Sequence, residues 1–107
     1  MNAGPRIAID AMGGDTGPAA IVSGIARARR KDSSLHFTLF GDEKVVRQEL
    51  KKHGQLARDV TVCHAPESIS ASEKPSQAIR RAKTTSMGLA INAVKDGQAD
   101  AAVSGGN

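Results

Sequence analysis

The residues Ile7-Ala8-Ile9-Asp10-Ala11-Met12-Gly13-Gly14-Asp15-Thr16-Gly17-Pro18 constrain the fold more than any other stretch of the chain. Ile7 and Ile9 supply the β-branched bulk that a central strand favours. The strand then runs straight into a glycine pair. Gly13 and Gly14 open backbone angles closed to other residues, and they let a ligand come close to the main chain. Asp10 and Asp15 bracket the turn, and Pro18 stands where the first turn of a helix accepts it. In an open parallel sheet this loop lies at the carboxyl end of its strand, where such sheets bind ligands. Taken alone, the stretch also fits an ordinary glycine-rich strand-to-helix turn.

The rest of the chain alternates in the same manner. A strand over 6–11 and a loop over 12–17 lead into a helix over 18–31, where Ile21, Val22, Ile25 and Ala28 recur at helical spacing. Its last turn carries Arg27, Arg29, Arg30 and Lys31, cations that suit the negative end of the helix dipole and read as a solvated face. A strand over 35–40 ends at Gly41-Asp42-Glu43, and Asp42 is a good N-cap for a helix over 43–53. There Glu43 and Arg47 can pair four residues apart, and Gly54 stops the helix. A buried strand over 59–64 follows. The polar stretch 68–75 is a loop, Pro75 starts a helix, Thr84-Thr85 interrupts it, and Ser86 restarts one that Gly97 ends. A last strand over 99–103 runs into Ser104-Gly105-Gly106-Asn107. The order β-α-β-α-β-α-α-β indicates an α/β fold, a parallel sheet with helices on both faces.

Composition narrows the partners. With 107 residues, 39 % of them apolar, the chain can bury one core, and it shows no second domain. Phe37 and Phe40 are its only aromatic residues, too few for base stacking, so nucleic acid is not an expected partner. A net charge of +4 and a pI near 9.6 suit anionic partners in general. The single cysteine, Cys63, excludes an intrachain disulfide and reads as an inert core thiol. No apolar run approaches the ~20 residues that span a bilayer, and no signal-peptide core opens the chain. A cytoplasmic protein is expected.

Four strand-end loops would open on one edge of a parallel sheet: Met12-Gly13-Gly14-Asp15, Gly41-Asp42-Glu43, Ala65-Pro66-Glu67 and Ser104-Gly105-Gly106-Asn107. Two of them are glycine pairs beside polar side chains, the composition that exposes backbone N–H groups to an anion. Arg80, Arg81 and Lys83 could add charge there, or could form a plain basic helix surface. The P-loop and the dinucleotide fingerprint are absent. His36, His53 and His64 lack metal-ligand spacing, and no metal site is expected. Ser86 and Ser104 have no His-Asp partners legible in the sequence.

These residues together carry a resemblance. The opening motif Ile7 to Asp15, with Gly17-Pro18, resembles the N-terminal signature of the bacterial phosphate acyltransferases of phospholipid synthesis, the PlsX family. The likeness continues at Gly41-Asp42-Glu43, His64-Ala65-Pro66-Glu67, Lys74-Pro75 with Ala78-Ile79-Arg80-Arg81, Ser86-Met87, Ala90-Ile91, and Gly97-Gln98-Ala99-Asp100-Ala101. It closes on Val103-Ser104-Gly105-Gly106-Asn107, where the family usually reads Ser-Ala-Gly-Asn-Thr-Gly-Ala. Thr16 stands where the family commonly has His, Gly105 replaces Ala, and Ala82-Lys83-Thr84-Thr85 replaces a more basic, Ser-rich run. The chain stops inside the last motif, as the N-terminal portion of a single larger domain would.

The resemblance implies transfer of a fatty acyl group from acyl carrier protein to inorganic phosphate, giving acyl phosphate without metal or organic cofactor. It implies a truncated three-layer α/β/α fold similar to isocitrate and isopropylmalate dehydrogenases, a homodimeric parent, and possible peripheral membrane association of that parent. The candidate catalytic residues are Ser104, Asn107 and Asp10, the last orienting the loop rather than acting as a base. Gly13, Gly14, Asp15, Arg81, Lys83, Ser86, Gly105 and Gly106 are the candidate substrate contacts. The alternatives are a phosphotransacetylase-like enzyme or a dehydrogenase of the same fold, and a non-enzymatic basic α/β binding module. The piece by itself is expected to have weak activity or none.

Overall fold

The computed structural model describes residues 4–14, 17–69 and 74–105. Four strands, β1 (Arg6–Asp10), β2 (His36–Gly41), β3 (Thr61–His64) and β4 (Ala101–Ser104), form one sheet in the order β3-β2-β1-β4. All neighbouring pairs are parallel. The register sets Asp10 opposite Phe40 on one side and opposite Ser104 on the other. The first strand in sequence is thus central in space, and its carboxyl end is flanked by both neighbours.

Side chains alternate across the sheet, and each set meets its own helices. Ile9, Ala11, Phe37 and Leu39 face one way, against Val22, Ile25 and Ala26 of α1 (Gly17–Lys31) and Val46 and Leu50 of α2 (Glu43–Leu50). Val22, Leu39, Val46 and Leu50 are fully buried, each contributing about 1.5–3 kcal/mol of burial. Ala8 and Phe40 face the other way, against Ala90 and Ala93 of α5 (Ser86–Lys95) and Ala99. That second core is built mostly of alanine, so α5 lies close against β1, β2 and β4. The result is the expected α/β architecture, a parallel sheet with helices on both faces.

Local chemistry accounts for the helix starts. Asp42 Oδ1 accepts from the backbone N–H of Lys44 at 3.1 Å and of Val45 at 3.4 Å, so Asp42 caps α2. Arg47 pairs with Glu43 at 2.8 Å across one helical turn. The Thr84-Thr85 break is present: after α4 (Pro75–Arg80), Thr85 becomes the N-cap of α5, its hydroxyl accepting from Gly88 N–H at 3.1 Å.

Four expectations need correction. The helix expected over 43–53 stays α-helical only to Leu50, and Lys51–His53 tighten into a 3₁₀ turn. The strand expected from Asp59 starts at Thr61, because Leu56–Asp59 form a short helix, α3. β3 is also an edge strand, exposed at Thr61 and His64 and half-buried at Val62 and Cys63, so Cys63 is a half-buried thiol packed against the second core rather than within it. The basic end of α1 is not uniformly solvated either: Arg29 donates to Leu35 O at 2.8 Å and pairs with Asp59 at 3.3 Å. The polar loop 68–75 and the termini at 1–3 and 106–107 lie wholly or partly outside the described residues.

Candidate site at the carboxyl edge of the sheet

Asp10 is the last residue of β1, and its side chain shares the face of α5. It is 2 % exposed, so its carboxylate needs partners. Three come from three different segments. Met12 N–H donates to Oδ1 at 3.1 Å, the local turn typical of aspartate. Ser86, the first residue of α5, donates its hydroxyl to Oδ1 at 2.6 Å. Ser104, the last residue of β4, donates to Oδ2 at 2.7 Å. The N-terminal end of α5 also carries the positive end of a helix dipole, which favours an anion there.

The tie gathers the two glycine loops. Gly14 has φ +91°, and Gly105 O stands 3.1 Å from where a β-carbon on Gly14 would be. A β-carbon on Gly105 would meet Gly13 O at 3.5 Å. The loop after β1 and the loop after β4 are therefore in backbone contact, directly above the buried carboxylate. The third loop packs in as well: a β-carbon on Gly41 would stand 2.9 Å from the Met12 side chain.

Arg81 engages the loop after β3. Its guanidinium donates to Glu67 Oε1 at 2.7 Å and to Ser68 O at 3.4 Å, and Thr84 Oγ1 donates to the same Glu67 oxygen at 3.0 Å. Arg81, and secondarily Thr84, hold the Glu67 carboxyl below its ordinary value of 4.5. Main-chain bonds from Glu67 N to Thr84 O and from Ser86 N to Glu67 O fasten the loop after β3 to the start of α5. His64 Nδ1 accepts from Glu43 N–H at 3.2 Å, so this histidine serves the start of α2. Lys83 and Arg80 are exposed.

Of the sequence-predicted site residues, the structure brings together Asp10, Gly13, Gly14, Ser86, Ser104 and Gly105. It places Ser86 fully beneath the surface, holding Asp10. Arg81 and Lys83 lie on the turn that precedes α5. Asp15, Gly106 and Asn107 lie outside the described residues. Glu67, in one of the four strand-end loops, and Thr84 are not among the candidate site residues; an acidic residue directly after a strand-ending His-Ala-Pro is the available signal for their pairing. Among the described residues no three His, Cys, Asp or Glu side chains could hold a metal ion, and no helix is long and apolar enough to cross a membrane. A groove of about 710 Å³ lies at the opposite edge, lined by Arg6, His36, Thr38 and Asp100, and touches none of these residues.

Strand-end glycine loops joined beside a buried carboxylate, on a four-stranded parallel sheet with helices, define an open-sheet α/β protein whose candidate site lies at the strand carboxyl ends. The chain belongs to the fatty acid synthesis protein family, whose model matches residues 5–107. It is 50 % identical over 103 residues to a phosphate acyltransferase of Erythrobacter litoralis, covering 96 % of this chain and 29 % of that protein. A phosphate acyltransferase of Bradyrhizobium diazoefficiens is likewise 50 % identical, over 95 % of this chain and 29 % of its own length. One from Parvibaculum lavamentivorans is 45 % identical over the whole chain and 30 % of its own. The chain spans under a third of the length of these relatives.

Proposed function

We propose that this chain is the amino-terminal part of a phosphate acyltransferase, an enzyme that moves a fatty acyl group from acyl carrier protein to inorganic phosphate. The relatives named for that activity support the reading, and the carrying observation is the contact between the two glycine loops over Asp10. Phosphate would lie against the main-chain N–H groups of Gly13, Gly14 and Gly105, whose partial charges favour an anion. Held there and partly stripped of water, a phosphate oxygen attacks the thioester carbonyl, forming the acyl–phosphate bond while the thiolate of the carrier leaves. Ser104 and Asp10 shape this loop pair. Arg81 and Lys83, with Asp15, Gly106 and Asn107, are assigned to substrate contact and to completing the site.

In this reading the 107 residues are one part of a single larger domain, the whole enzyme works as a cytoplasmic homodimer, and it meets the membrane only peripherally. The test is phosphate-dependent release of free thiol from a long-chain acyl carrier protein. It is run on this chain and on a version carried to the length of the relatives. Release by the longer protein, with or without release by the shorter, is the expected result. Release by neither overturns the reading.

A further inference from the structure

Between Glu73 and Asp96 the chain carries Lys74, Arg80, Arg81, Lys83 and Lys95 and no acidic residue. Elsewhere ten cations stand against eleven acids, so the net charge of +4 belongs to this one stretch. Among the described residues only Arg81 of the five enters an ion pair, with Glu67. The same stretch holds Ile79, 74 % exposed, and Ile91, the two most exposed large apolar side chains of the described residues. On α4, Ser76, Gln77, Ile79 and Arg80 are exposed and Ala78 is half-buried, so this short helix packs little against the chain. A helix of one to two turns is not stable by itself. An exposed isoleucine followed directly by cations has the make-up of a contact for another molecule.

The stretch is also tied to the candidate site. Main-chain bonds from Glu67 N to Thr84 O and from Ser86 N to Glu67 O fasten it to the loop after β3. The Ser86 hydroxyl, seven residues beyond Ile79, reaches Asp10 at 2.6 Å. A molecule resting on the end of α4 therefore approaches the carboxyl edge of the sheet. We propose that α4 and the turn after it are the docking surface for the acyl carrier protein, and that the carrier meets them with an acidic face around an apolar contact. Ile79 supplies the apolar anchor, and Arg80 and Lys83 supply the attraction. Complementary charge of this kind speeds encounter and fixes orientation more than it adds affinity. Docking here delivers the carrier's thioester to the edge that holds the glycine loops. Nucleic acid, the other common polyanion, finds no aromatic side chain in the stretch on which to stack. The inference rests on the acyltransferase reading given above.

The test is steady-state kinetics of the version carried to the length of the relatives. The same acyl group is offered on acyl carrier protein and on N-acetylcysteamine, a small thiol with no protein surface. Arg80→Glu should raise KM for the carrier-borne donor about 10-fold and flatten its rise with salt. Ile79→Ser should raise that KM about 10-fold as well. In both variants kcat, KM for phosphate and turnover of the small donor should stay within about 2-fold, as for other exposed substitutions. Arg80→Lys keeps the charge and should hold KM for the carrier within about 3-fold of the unaltered value. An unchanged KM for the carrier in Arg80→Glu and Ile79→Ser overturns the inference and leaves the acyltransferase reading in place. A loss shared by both donors also overturns it, because α4 then serves the enzyme's own fold. So does weaker binding of Arg80→Glu to phosphatidylglycerol vesicles with KM for the carrier unchanged, which assigns the surface to lipid. No release of thiol from the carrier by the unaltered longer protein overturns the acyltransferase reading itself.

Discussion

The carbonyl oxygen of Gly105 lies 3.1 Å from the point where a β-carbon on Gly14 would stand, although ninety-one residues separate the two in the chain. The contact is asymmetric. Gly14 has φ +91° and meets main chain, whereas a β-carbon on Gly105 would find neighbours only from 3.5 Å outward. Gly14→Ala therefore forces an unfavourable backbone angle against an atom that has little freedom to move, and should cost about 1–3 kcal/mol. Gly105→Ala should change stability by less than about 0.5 kcal/mol. Urea unfolding of the two variants side by side measures the difference. Equal costs would contradict the geometry.

A second glycine sets two effects against each other. Gly88 is in the first turn of α5, where replacing glycine by alanine ordinarily gains about 1 kcal/mol of helix propensity. Here the added β-carbon would run into the backbone oxygen and α-carbon of Ala82, on the turn before the helix. Overpacking against main chain costs about 1–3 kcal/mol or more, so the clash wins. Gly88→Ala should lower the thermal midpoint. It should also loosen the Thr85 cap and the Glu67–Arg81 pair, seen as faster amide exchange over 84–88.

The buried tie makes a prediction about cooperativity between distant segments. Asp10→Ala removes an acceptor from Met12, Ser86 and Ser104 together. Each stranded donor costs about 1 kcal/mol or more when buried, and Ser104 can partly recover water. A loss of about 3 kcal/mol is expected. Ser86→Ala should cost about 1–2 kcal/mol, and the double variant should cost less than the sum, because both remove one bond. A double-mutant cycle in urea gives the coupling; strict additivity would mean that the two side chains do not interact.

That tie also marks the limit of what the sequence discloses. The strand before Gly13-Gly14, the Asp42 cap and the Thr84-Thr85 break are governed by neighbours within about four residues, and each is present. The apposed glycine loops follow from two local motifs once the strands are parallel, though their contact does not. The bonds from Ser86 and Ser104 to Asp10 span 76 and 94 residues. They depend on the strand order and on the alanine-rich packing that seats α5 close to the sheet. The Val60-Thr61-Val62-Cys63 run failed as a guide for a related reason: β-branched composition marks a strand but not its place at the edge.

Acid sensitivity should come late. Arg6, first through its side chain and then through its backbone N–H, holds the Asp100 carboxyl below its ordinary 3.8. Arg81 and then Thr84 hold Glu67 below 4.5, and the Ser34 hydroxyl and then its N–H lower Asp32. Groups with depressed folded values add stability that is fully present above their unfolded values and is lost as pH falls through the folded ones. These three therefore contribute a plateau down to about pH 5 and a decline below about pH 4. Urea midpoints across that range test the sign. Glu67→Gln should shrink the acid decline without moving its direction. A midpoint that fell between pH 7 and 5 would have to come from other groups.

Among the described residues no strand pairs with the outer edge of β4 in the order β3-β2-β1-β4, and Val103 on that strand is 51 % exposed. Ala101 and Ala102 beside it are exposed too, so this stretch of the edge carries only small, uncharged side chains. Such an edge is a template for pairing with another strand. Ile91 on α5, the helix packed on the other face of the sheet, is 55 % exposed as well. The chain should therefore self-associate as its concentration rises, by a contact that charge disrupts. Val103→Lys places a cation on the edge and should shift sedimentation toward the monomer with little change in the urea midpoint. If Val103→Lys sediments as the unaltered chain does at every concentration, the association runs through another surface.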